Sequence, residues 1–270
     1  TILEEKSITI EDYKKLYYLE NQTALDDSVL NHAIQVINGL FVTEKFNKNL
    51  VKVGQNRNYE IITREKNSIK IGNSLNQLIL KKDVFESLLD LCNYSLLKIK
   101  QLGNDVYKND FILNQRYSRK DVFRILCWDS NPVAQNVGGY MIAPTKKDCA
   151  IFVNYHKDEN ISATTKYHDR FDSRNEFILM SKNKRKLTSP DVSQILDQTI
   201  SNMRIPLFVK KSNAEGNDFY YLGNMLVKKE TAVEKMIVKE DGDKVTVVEM
   251  NFSLLSPVEK SLYDYLLNSN

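Results

Sequence analysis

Basic side chains gather in two short segments of the chain, and cations grouped in this way can neutralise phosphates. The first segment contributes Arg116, Arg119, Lys120 and Arg124. The second begins with Ser181 and contributes Lys182, Lys184, Arg185 and Lys186. A single run of like charges is usually a solvated surface, but two runs in one part of the chain favour contacts with a nucleic-acid backbone.

Aromatic side chains interleave with the two basic segments. They are Trp128, Tyr140, Tyr155, Tyr167 and Phe171. On base rates of burial, each ring is more often part of a hydrophobic core than of a binding surface. Tyr140, Tyr155 and Tyr167 are less typical of a core, because they border glycines or strongly polar segments. Cations followed by rings and glycines suit a loop that closes on a flat group.

Catalytic and metal-binding motifs are missing from the sequence. It has no P-loop, no His-Glu-x-x-His, no paired Cys-x-x-Cys, no EF-hand loop and no nucleophile elbow. The three histidines, His32, His156 and His168, lack metal-ligand spacing, so ordinary surface or core-edge histidines are favoured over ligands. We therefore predict no catalytic residue, no metal and no cofactor in this chain.

Composition favours two globular domains. A chain of 270 residues can bury a full core, and no apolar run approaches the length of a membrane span. The three cysteines have no metal-ligand spacing, which favours reduced thiols and a cytoplasmic location. The first 105 residues are electrically balanced, so the net charge of +3 lies in the remainder. The chain starts with Thr1 rather than Met, which favours a piece of a longer protein.

The first 110 residues read as helices around a small β insertion. Thr9 and Asp12 form a capping-box pattern for a helix that should end near Glu20. Short β-prone runs occupy residues 50–71, and a long helix should follow from about Lys82 to Leu102. Its predicted buried stripe consists of Phe85, Leu88, Leu89, Cys92, Leu96 and Ile99. The domain boundary is predicted in the polar stretch 104–115.

Residues 111–270 are richer in strands. Ser118 predicts a short capped helix, and Ser189-Pro190-Asp191 predicts another. Asp241-Gly242 predicts the turn of a β hairpin. Many short strands with three helices predict an α+β fold, in which helices come first and a mixed β barrel or strongly curved sheet with flanking helices follows.

Several motifs of this second part resemble a family of domains in large restriction proteins. They are Tyr117-Ser118-Arg119-Lys120-Asp121-Val122-Phe123, Trp128, Asn136-Val137-Gly138-Gly139-Tyr140, Ile151-Phe152-Val153, Tyr155-His156-Lys157, Ser181-Lys182, Leu207-Phe208-Val209-Lys210-Lys211 and Asp218-Phe219-Tyr220-Tyr221-Leu222-Gly223. In that family the domain, long labelled as of unknown function, follows a phospholipase-D-type nuclease and a superfamily-two helicase. The motifs cover about residues 111–265, and the first 110 residues carry none of them.

The resemblance implies a function in ATP-dependent type IV restriction, the cleavage of DNA that carries modified bases. Residues 1–110 would be a helical coupler, and residues 111–270 a target recognition domain for C5-modified cytosine, either 5-methyl or 5-hydroxymethyl. The implied partners are double-stranded DNA with modified cytosine and the helicase and nuclease domains of the same polypeptide, with no membrane. ATP hydrolysis and cleavage would then lie outside this chain.

A domain that recognises C5-modified cytosine either contacts the methyl group in the major groove or extracts the base from the duplex. Extraction needs aromatic walls, an acceptor for the exocyclic amine and cations on the flanking phosphates. The five rings named above are the candidate walls, one of Asp129, Asp169 and Asp172 is the candidate acceptor, and the two basic segments are the candidate phosphate contacts. A barrel of the SRA or PUA type, which flips bases, is the favoured interpretation, and a B3-like barrel that reads the groove is the alternative.

A second interpretation gives the chain no specific base recognition. It would then be a protein–protein coupling or oligomerisation fragment of a helicase-nuclease, and the basic segments would be ordinary solvated surface.

Overall fold

The computed structural model of the protein describes residues 5–46, 49–52, 59–102, 110–129, 132, 139–156, 169–238 and 244–268. The chain divides into two compact units. The first comprises residues 1–110 and 123–131, and the second comprises residues 111–122 and 132–270. The roles predicted for the two parts of the chain, a coupler and a DNA reader, stay predictions.

The first unit combines helices with two small sheets. Its elements are β1 (Ser7–Thr9), α1 (Ile10–Asn21), α2 (Asp27–Ile37), β2 (Thr43–Phe46), β3 (Asn49–Lys52), β4 (Ile62–Arg64), β5 (Ser68–Ile71), α3 (Asn73–Leu78) and α4 (Lys82–Leu102). Strand β5 lies between β1 and β4 in an antiparallel sheet, and β2 pairs with β3. The predicted β insertion among helices is confirmed.

Helix α1 begins at the predicted capping box. The amide of Asp12 donates to Thr9 Oγ1 (3.1 Å), and the Thr9 hydroxyl donates to Asp12 Oδ2 (2.6 Å). The first bond gives a partner to an amide that has none inside the helix. The helix ends at Asn21, one residue beyond the predicted end.

Helix α4 has the predicted span but not the predicted burial. Phe85 is half-buried in the first half, as are Leu88 and Leu89. In the second half Cys92 is exposed, and Leu96 and Ile99 have exposed fractions of 53% and 41%. The prediction of a buried stripe is therefore wrong for the second half, because no described part of the chain covers it.

The rest of the chain is built mainly from strands. Its elements are β6 (Arg116–Ser118), α5 (Arg119–Ile125), β7 (Tyr140–Ile142), β8 (Cys149–Asn154), β9 (Arg170–Ser173), β10 (Glu176–Met180), α6 (Pro190–Leu196), α7 (Gln198–Ser201), β11 (Pro206–Lys210), β12 (Asp218–Val227), β13 (Val233–Val238), β14 (Lys244–Leu254) and α8 (Lys260–Leu267). The predicted hairpin strands β13 and β14 pair along their length, although the Asp241-Gly242 turn lies outside the described residues.

Nine strands form one mixed sheet in the second unit. Its main path runs β7-β8-β11-β12-β14-β10-β9, with β6 added beside β12 and β13 beside β14. The β8–β11 pair is parallel, and the other pairs are antiparallel. Within the described residues the outer strands β7 and β9 do not pair with each other. The α+β class is therefore confirmed, whereas a closed barrel is not observed.

The central strands are buried on both faces of the sheet. Because alternate side chains point to opposite sides, each strand contributes residues to two different layers. On one side Ile151 and Val153 of β8 and Leu207 and Val209 of β11 join the main core. On the other side the rings of neighbouring strands form an aromatic layer of Phe152, Phe208, Phe219 and Tyr221, to which Phe111 and Tyr117 add their edges. This aromatic layer is the platform on which the candidate site is built.

Strand β12 is long enough to join two parts of the sheet. Its first residues pair with β6, its middle pairs with β11, and its last residues pair with β14. The pairing moves from Leu207–Gly223 to Phe208–Tyr221, which leaves Leu222 of β12 unpaired in a β bulge. Gly223 beside this bulge has φ +114°, a conformation that other residues rarely adopt.

Candidate nucleic-acid interface

The first basic segment begins at a tight corner between β6 and α5. The hydroxyl of Ser118 donates to Asp121 Oδ2 (2.7 Å), and the amide of Asp121 donates back to Ser118 Oγ (3.1 Å). This is the predicted capping box, and it fixes the turn in which Arg119 and Lys120 begin the helix. The structure therefore gives these two cations a defined backbone position.

Arg119 lies on the aromatic layer of the second unit. The centre of its guanidinium group is 4.9 Å from the centre of the Phe219 ring and 5.4 Å from that of Phe152. Burial lowers the pKa of Arg119, although a guanidinium remains protonated. Its buried Nε has no hydrogen-bond partner, and within the described residues the group has no acidic partner. The result is a fixed positive charge that could accept an external anion.

Lys210, at the end of β11, adds a second cation to the same layer. Its Nζ lies 5.0 Å from the centre of the Phe219 ring and donates to the carbonyl oxygen of Gly216 (2.8 Å). The side chain is buried, which is unusual for a lysine. Lys210 was not predicted as a site residue. Its sequence signal was the Lys210-Lys211 pair at the end of an apolar strand.

Arg116 lies in a second group of cations and rings around β12. Its guanidinium centre is 5.2 Å from the centre of the Tyr220 ring, and Nη2 donates to the Glu215 carbonyl oxygen (2.8 Å). Lys211 Nζ lies 4.8 Å from the centre of the Tyr265 ring. The hydroxyl of Tyr265 donates to the Glu215 carboxylate (2.5 Å), a bond that raises the pKa of Tyr265 to about 12. Arg116 thus already has a local backbone partner.

Ser181 cannot act as predicted in this structure. Its side chain is fully buried, and its amide donates to the carbonyl oxygen of Val248 (2.8 Å). Its hydroxyl accepts from the Val248 amide (2.8 Å) and donates to the Lys182 carbonyl oxygen (3.1 Å). These bonds extend the pairing of β10 with β14, and the buried Ser181 hydroxyl has no exposed surface with which to contact a phosphate.

The three lysines after Ser181 and the arginine among them differ in whether they have an acidic partner. Lys184 and Lys186 are exposed, and Lys182 is half-buried with its Nζ 5.0 Å from the centre of the Tyr140 ring. Within the described residues none of the three has an acidic partner. Arg185, by contrast, donates from Nε to Asp191 Oδ2 at 2.8 Å. The three lysines therefore remain available to phosphates, whereas Arg185 is neutralised.

Tyr140 belongs to the same polar group as Arg185. It is almost fully buried, and its hydroxyl donates to Asp191 Oδ2 (2.7 Å). Burial first, and then the bond to Asp191, raise the pKa of Tyr140 well above its ordinary value. Burial acts to raise the pKa of Asp191 as well, but the bonds from Arg185 and Tyr140 outweigh it and lower that pKa. Asp191 is a site residue that the sequence showed only as part of a helix start.

Tyr155 and Phe171 are in ring contact, the one such pair among the predicted pocket residues that the structure describes. Their ring centres are 5.5 Å apart with planes inclined at 33°. Phe171 is buried, and Tyr155 is half-buried at the end of β8. Asp169 lies two residues before Phe171 and accepts from the Met180 amide at Oδ1 (3.0 Å). Tyr140 makes no ring contact with this pair, and Tyr167 lies outside the described residues.

Trp128 and Arg124 belong to the first unit. The buried indole of Trp128 packs on Phe123, with ring centres 4.5 Å apart, and its Nε1 has no hydrogen-bond partner within the described residues. The guanidinium centre of Arg124 lies 5.8 Å from the centre of the Phe41 ring, and its carbonyl oxygen is 2.9 Å from His32 Nε2. The roles predicted for Trp128 and Arg124 stay predictions.

Other kinds of site find no support among the described residues. No group of three or more histidine, cysteine, aspartate or glutamate side chains could hold a metal ion there. Nor does any helix in these parts of the chain have the length and apolar character needed to cross a membrane. Two shallow cavities open beside α6 and α7, and no predicted site residue lines either of them.

Residues 111–266 match the family described as "Domain of unknown function (DUF3427)". The match covers more than half of the chain, and the protein therefore belongs to this family. The matched residues agree closely with the span of the sequence motifs. The predicted membership in a domain family of unknown function is therefore confirmed. No curated protein sequence matches the chain.

Solved structures of restriction proteins show a weaker similarity. The DNA modification-dependent restriction endonuclease AspBHI is 14% identical with a TM-score of 0.39, over 54% of this chain and 76% of that one. The sulfur binding domain and SRA domain of ScoMcrA, complexed with phosphorothioated DNA, are 9% identical with a TM-score of 0.35, over 58% and 45% of the two chains.

The Type IV phosphorothioation-dependent restriction endonuclease ScoMcrA is 10% identical with a TM-score of 0.36, over 56% of this chain and 26% of that one. The protein thus spans less than half the length of either ScoMcrA chain. Similarities of this strength support no functional conclusion by themselves.

Proposed function

We propose that the second unit binds duplex DNA and reads C5-modified cytosine for an ATP-dependent type IV restriction endonuclease. One observation carries the DNA-binding part of this proposal. Five of the cations predicted to contact phosphates have no acidic partner within the described residues, namely Arg119, Lys120, Lys182, Lys184 and Lys186. Cations without internal partners can exchange bound counterions for DNA phosphates, and this exchange supplies most of the sequence-independent affinity for DNA.

The motifs and the family match support the restriction context. The matched region, residues 111–266, contains all five of these cations. By the resemblance, ATP hydrolysis and cleavage belong to helicase and nuclease domains of the same polypeptide, and this chain serves as a non-catalytic module in the cytoplasm. The names of the similar solved structures are compatible with this assignment, which rests on the chain's own residues.

The finer part of the proposal concerns how the base is read. We propose that a flipped cytosine stacks beside the Tyr155–Phe171 pair and that Asp169 accepts from its exocyclic amine. Tyr155 and Phe171 are in mutual contact, and Tyr155 keeps part of its surface accessible. The sheet that holds them would then function as an SRA/PUA-like reader, with groove reading by a B3-like barrel as the alternative.

Tyr140 is a weaker candidate for a pocket wall than Tyr155. Its ring is covered, and its hydroxyl is used by Asp191. In this proposal it serves instead to hold Asp191 and Arg185 beside the three lysines.

The role of the three lysines can be tested by neutralising them with K182Q, K184Q and K186Q together. Binding should weaken for modified and unmodified duplexes alike, and the slope of log K against log salt should become shallower by about 0.9 for each phosphate that the variant no longer neutralises. The matched control is K229Q, because Lys229 already pairs with Asp197 at 2.7 Å. An unchanged slope in the triple variant would mean that these lysines do not bind the phosphates.

A further inference from the structure

Helix α4 carries an apolar stripe that continues beyond the point where the first unit covers it. Phe85, Leu89, Cys92, Leu96 and Ile99 follow one another at intervals of four, three, four and three residues. This alternation places side chains along one seam and is the pattern of helices that pair as coiled coils. The last three members of the stripe are exposed in the part of the chain that the structure describes.

We propose that the stripe is a self-association surface, on which α4 of a second copy of this chain packs in the antiparallel direction. The charges of the helix select this occupant. The first half carries Asp83, Glu86 and Asp90 against one cation, Lys82, whose exposed Nζ lies 3.7 Å from Glu86 Oε1, and the end carries Lys98 and Lys100 with no acid. Antiparallel pairing sets the acidic half of each copy against the basic end of the other, whereas parallel pairing sets like charges side by side.

The heptad spacing allows registers one heptad apart, and we choose the one that sets the exposed Cys92 and Leu96 against each other. Pairing centred near Tyr94 places Leu89 against Ile99 of the second copy, and Cys92 against Leu96 of the second copy. Glu86 then flanks the seam opposite Lys100 of the second copy. The twofold axis repeats each contact, so the interface is self-complementary and closes as a dimer.

The size of the interface sets its expected strength. An overlap from Glu86 to the end of α4 is about 25 Å long at 1.5 Å per residue. A single helix pair of this length lies at the small end of specific interfaces, so we expect a dissociation constant in the micromolar range.

Sedimentation equilibrium of the 270-residue chain tests the proposal, which does not depend on DNA binding. The wild-type chain should show a reversible monomer–dimer equilibrium, and L96E should weaken it at least about tenfold. The control is L97E, because Leu97 is similarly exposed but lies off the stripe. Since both positions are exposed, circular dichroism should show an unchanged fold in each variant.

The charge pairs provide a test that only a second copy can satisfy. E86K and K100E should each weaken the dimer, and the variant carrying both changes should restore it, because the exchanged charges again attract across the twofold axis. A chain that stays monomeric up to about 200 μM would overturn the proposal and leave the stripe to a different protein. Equal effects of L96E and L97E, or no restoration in the double charge variant, would also overturn it.

Discussion

The carboxylate of Asp191 joins two predicted site residues, and this connection was not visible in the sequence. It accepts hydrogen bonds from Tyr140 and Arg185 and lies in the same polar group as Lys182. The sequence suggested that Tyr140 lines a base pocket and that Arg185 contacts phosphate. The structure joins both residues to an acid that lies six residues beyond Arg185 in sequence. Residues that share one acceptor should respond together when that acceptor is changed.

Replacing Asp191 with Asn should destabilise the fold by about 1–2 kcal/mol at pH 7, because an ionised acceptor of two hydrogen bonds is removed. The pKa of Asp191 is lowered in the folded chain. A carboxyl group with a lowered folded pKa stabilises the protein above its unfolded pKa, about 3.9, and loses that contribution as the pH falls through the folded value. Urea denaturation at pH 7 and at about pH 3 should therefore show a smaller difference between D191N and wild type at the lower pH.

The matched control for Asp191 is Y140F, which removes one neutral donor and keeps the ring. Its cost should be about 1 kcal/mol near neutral pH. The hydroxyl of Tyr140 should stay protonated throughout, because burial and Asp191 raise its pKa. An equal loss of stability for D191N at both pH values would contradict an ionised Asp191 as the acceptor.

Tyr155 should affect discrimination between bases more than overall affinity. Changing Tyr155 to Ala removes the ring that faces Phe171, and we expect the ratio of affinities for modified and unmodified duplex to fall about tenfold, in line with the value of stacking one base. Competition binding with the two duplexes measures this ratio. Y155F is the control and should keep most of it, because the ring remains. If Y155A keeps the wild-type ratio, the pocket lies elsewhere.

Short capping and proline motifs in the sequence correctly predicted where three helices begin. The capping boxes at Thr9 and Ser118 and the proline start of α6 are all observed. Such signals work because they depend on atoms three or four residues apart. Burial is different, since it depends on distant partners. The exposed end of α4 is an example. The spacing of its apolar residues predicted a buried face, but it could not identify a partner that would cover that face.

Gly223 makes a structural requirement of β12 testable. A Cβ at this position would meet Leu113 and Leu254 at ordinary contact distances of 3.5 and 3.9 Å, so space is not the obstacle. The φ of +114° is the obstacle, and G223A should cost about 1–3 kcal/mol in unfolding free energy.

Thermal or urea denaturation measures the cost of G223A. L226A, at an exposed position of the same strand, is the control and should change stability by less than about 0.5 kcal/mol. Equal stability of G223A and wild type would contradict a strained backbone at this bulge.

The arrangement of the site over the whole protein could be predicted only in part. The sequence indicated the α+β class and the region that matches the domain family. It could not show that Lys210 reaches the aromatic layer, because β11 and β12 meet there only through sheet pairing. Nor could it show that Trp128 packs on Phe123 while Tyr155 packs on Phe171, since aromatic residues look alike until their neighbours are known.

The central claim is that this chain distinguishes C5-modified from ordinary cytosine in duplex DNA. Its most direct test is the equilibrium affinity of the 270-residue chain for two duplexes of the same sequence, one carrying 5-methylcytosine, at one fixed salt concentration. We predict binding at least about tenfold tighter to the modified duplex, a difference of about 1.4 kcal/mol. Equal affinity for the two duplexes would contradict the account, even if both bind.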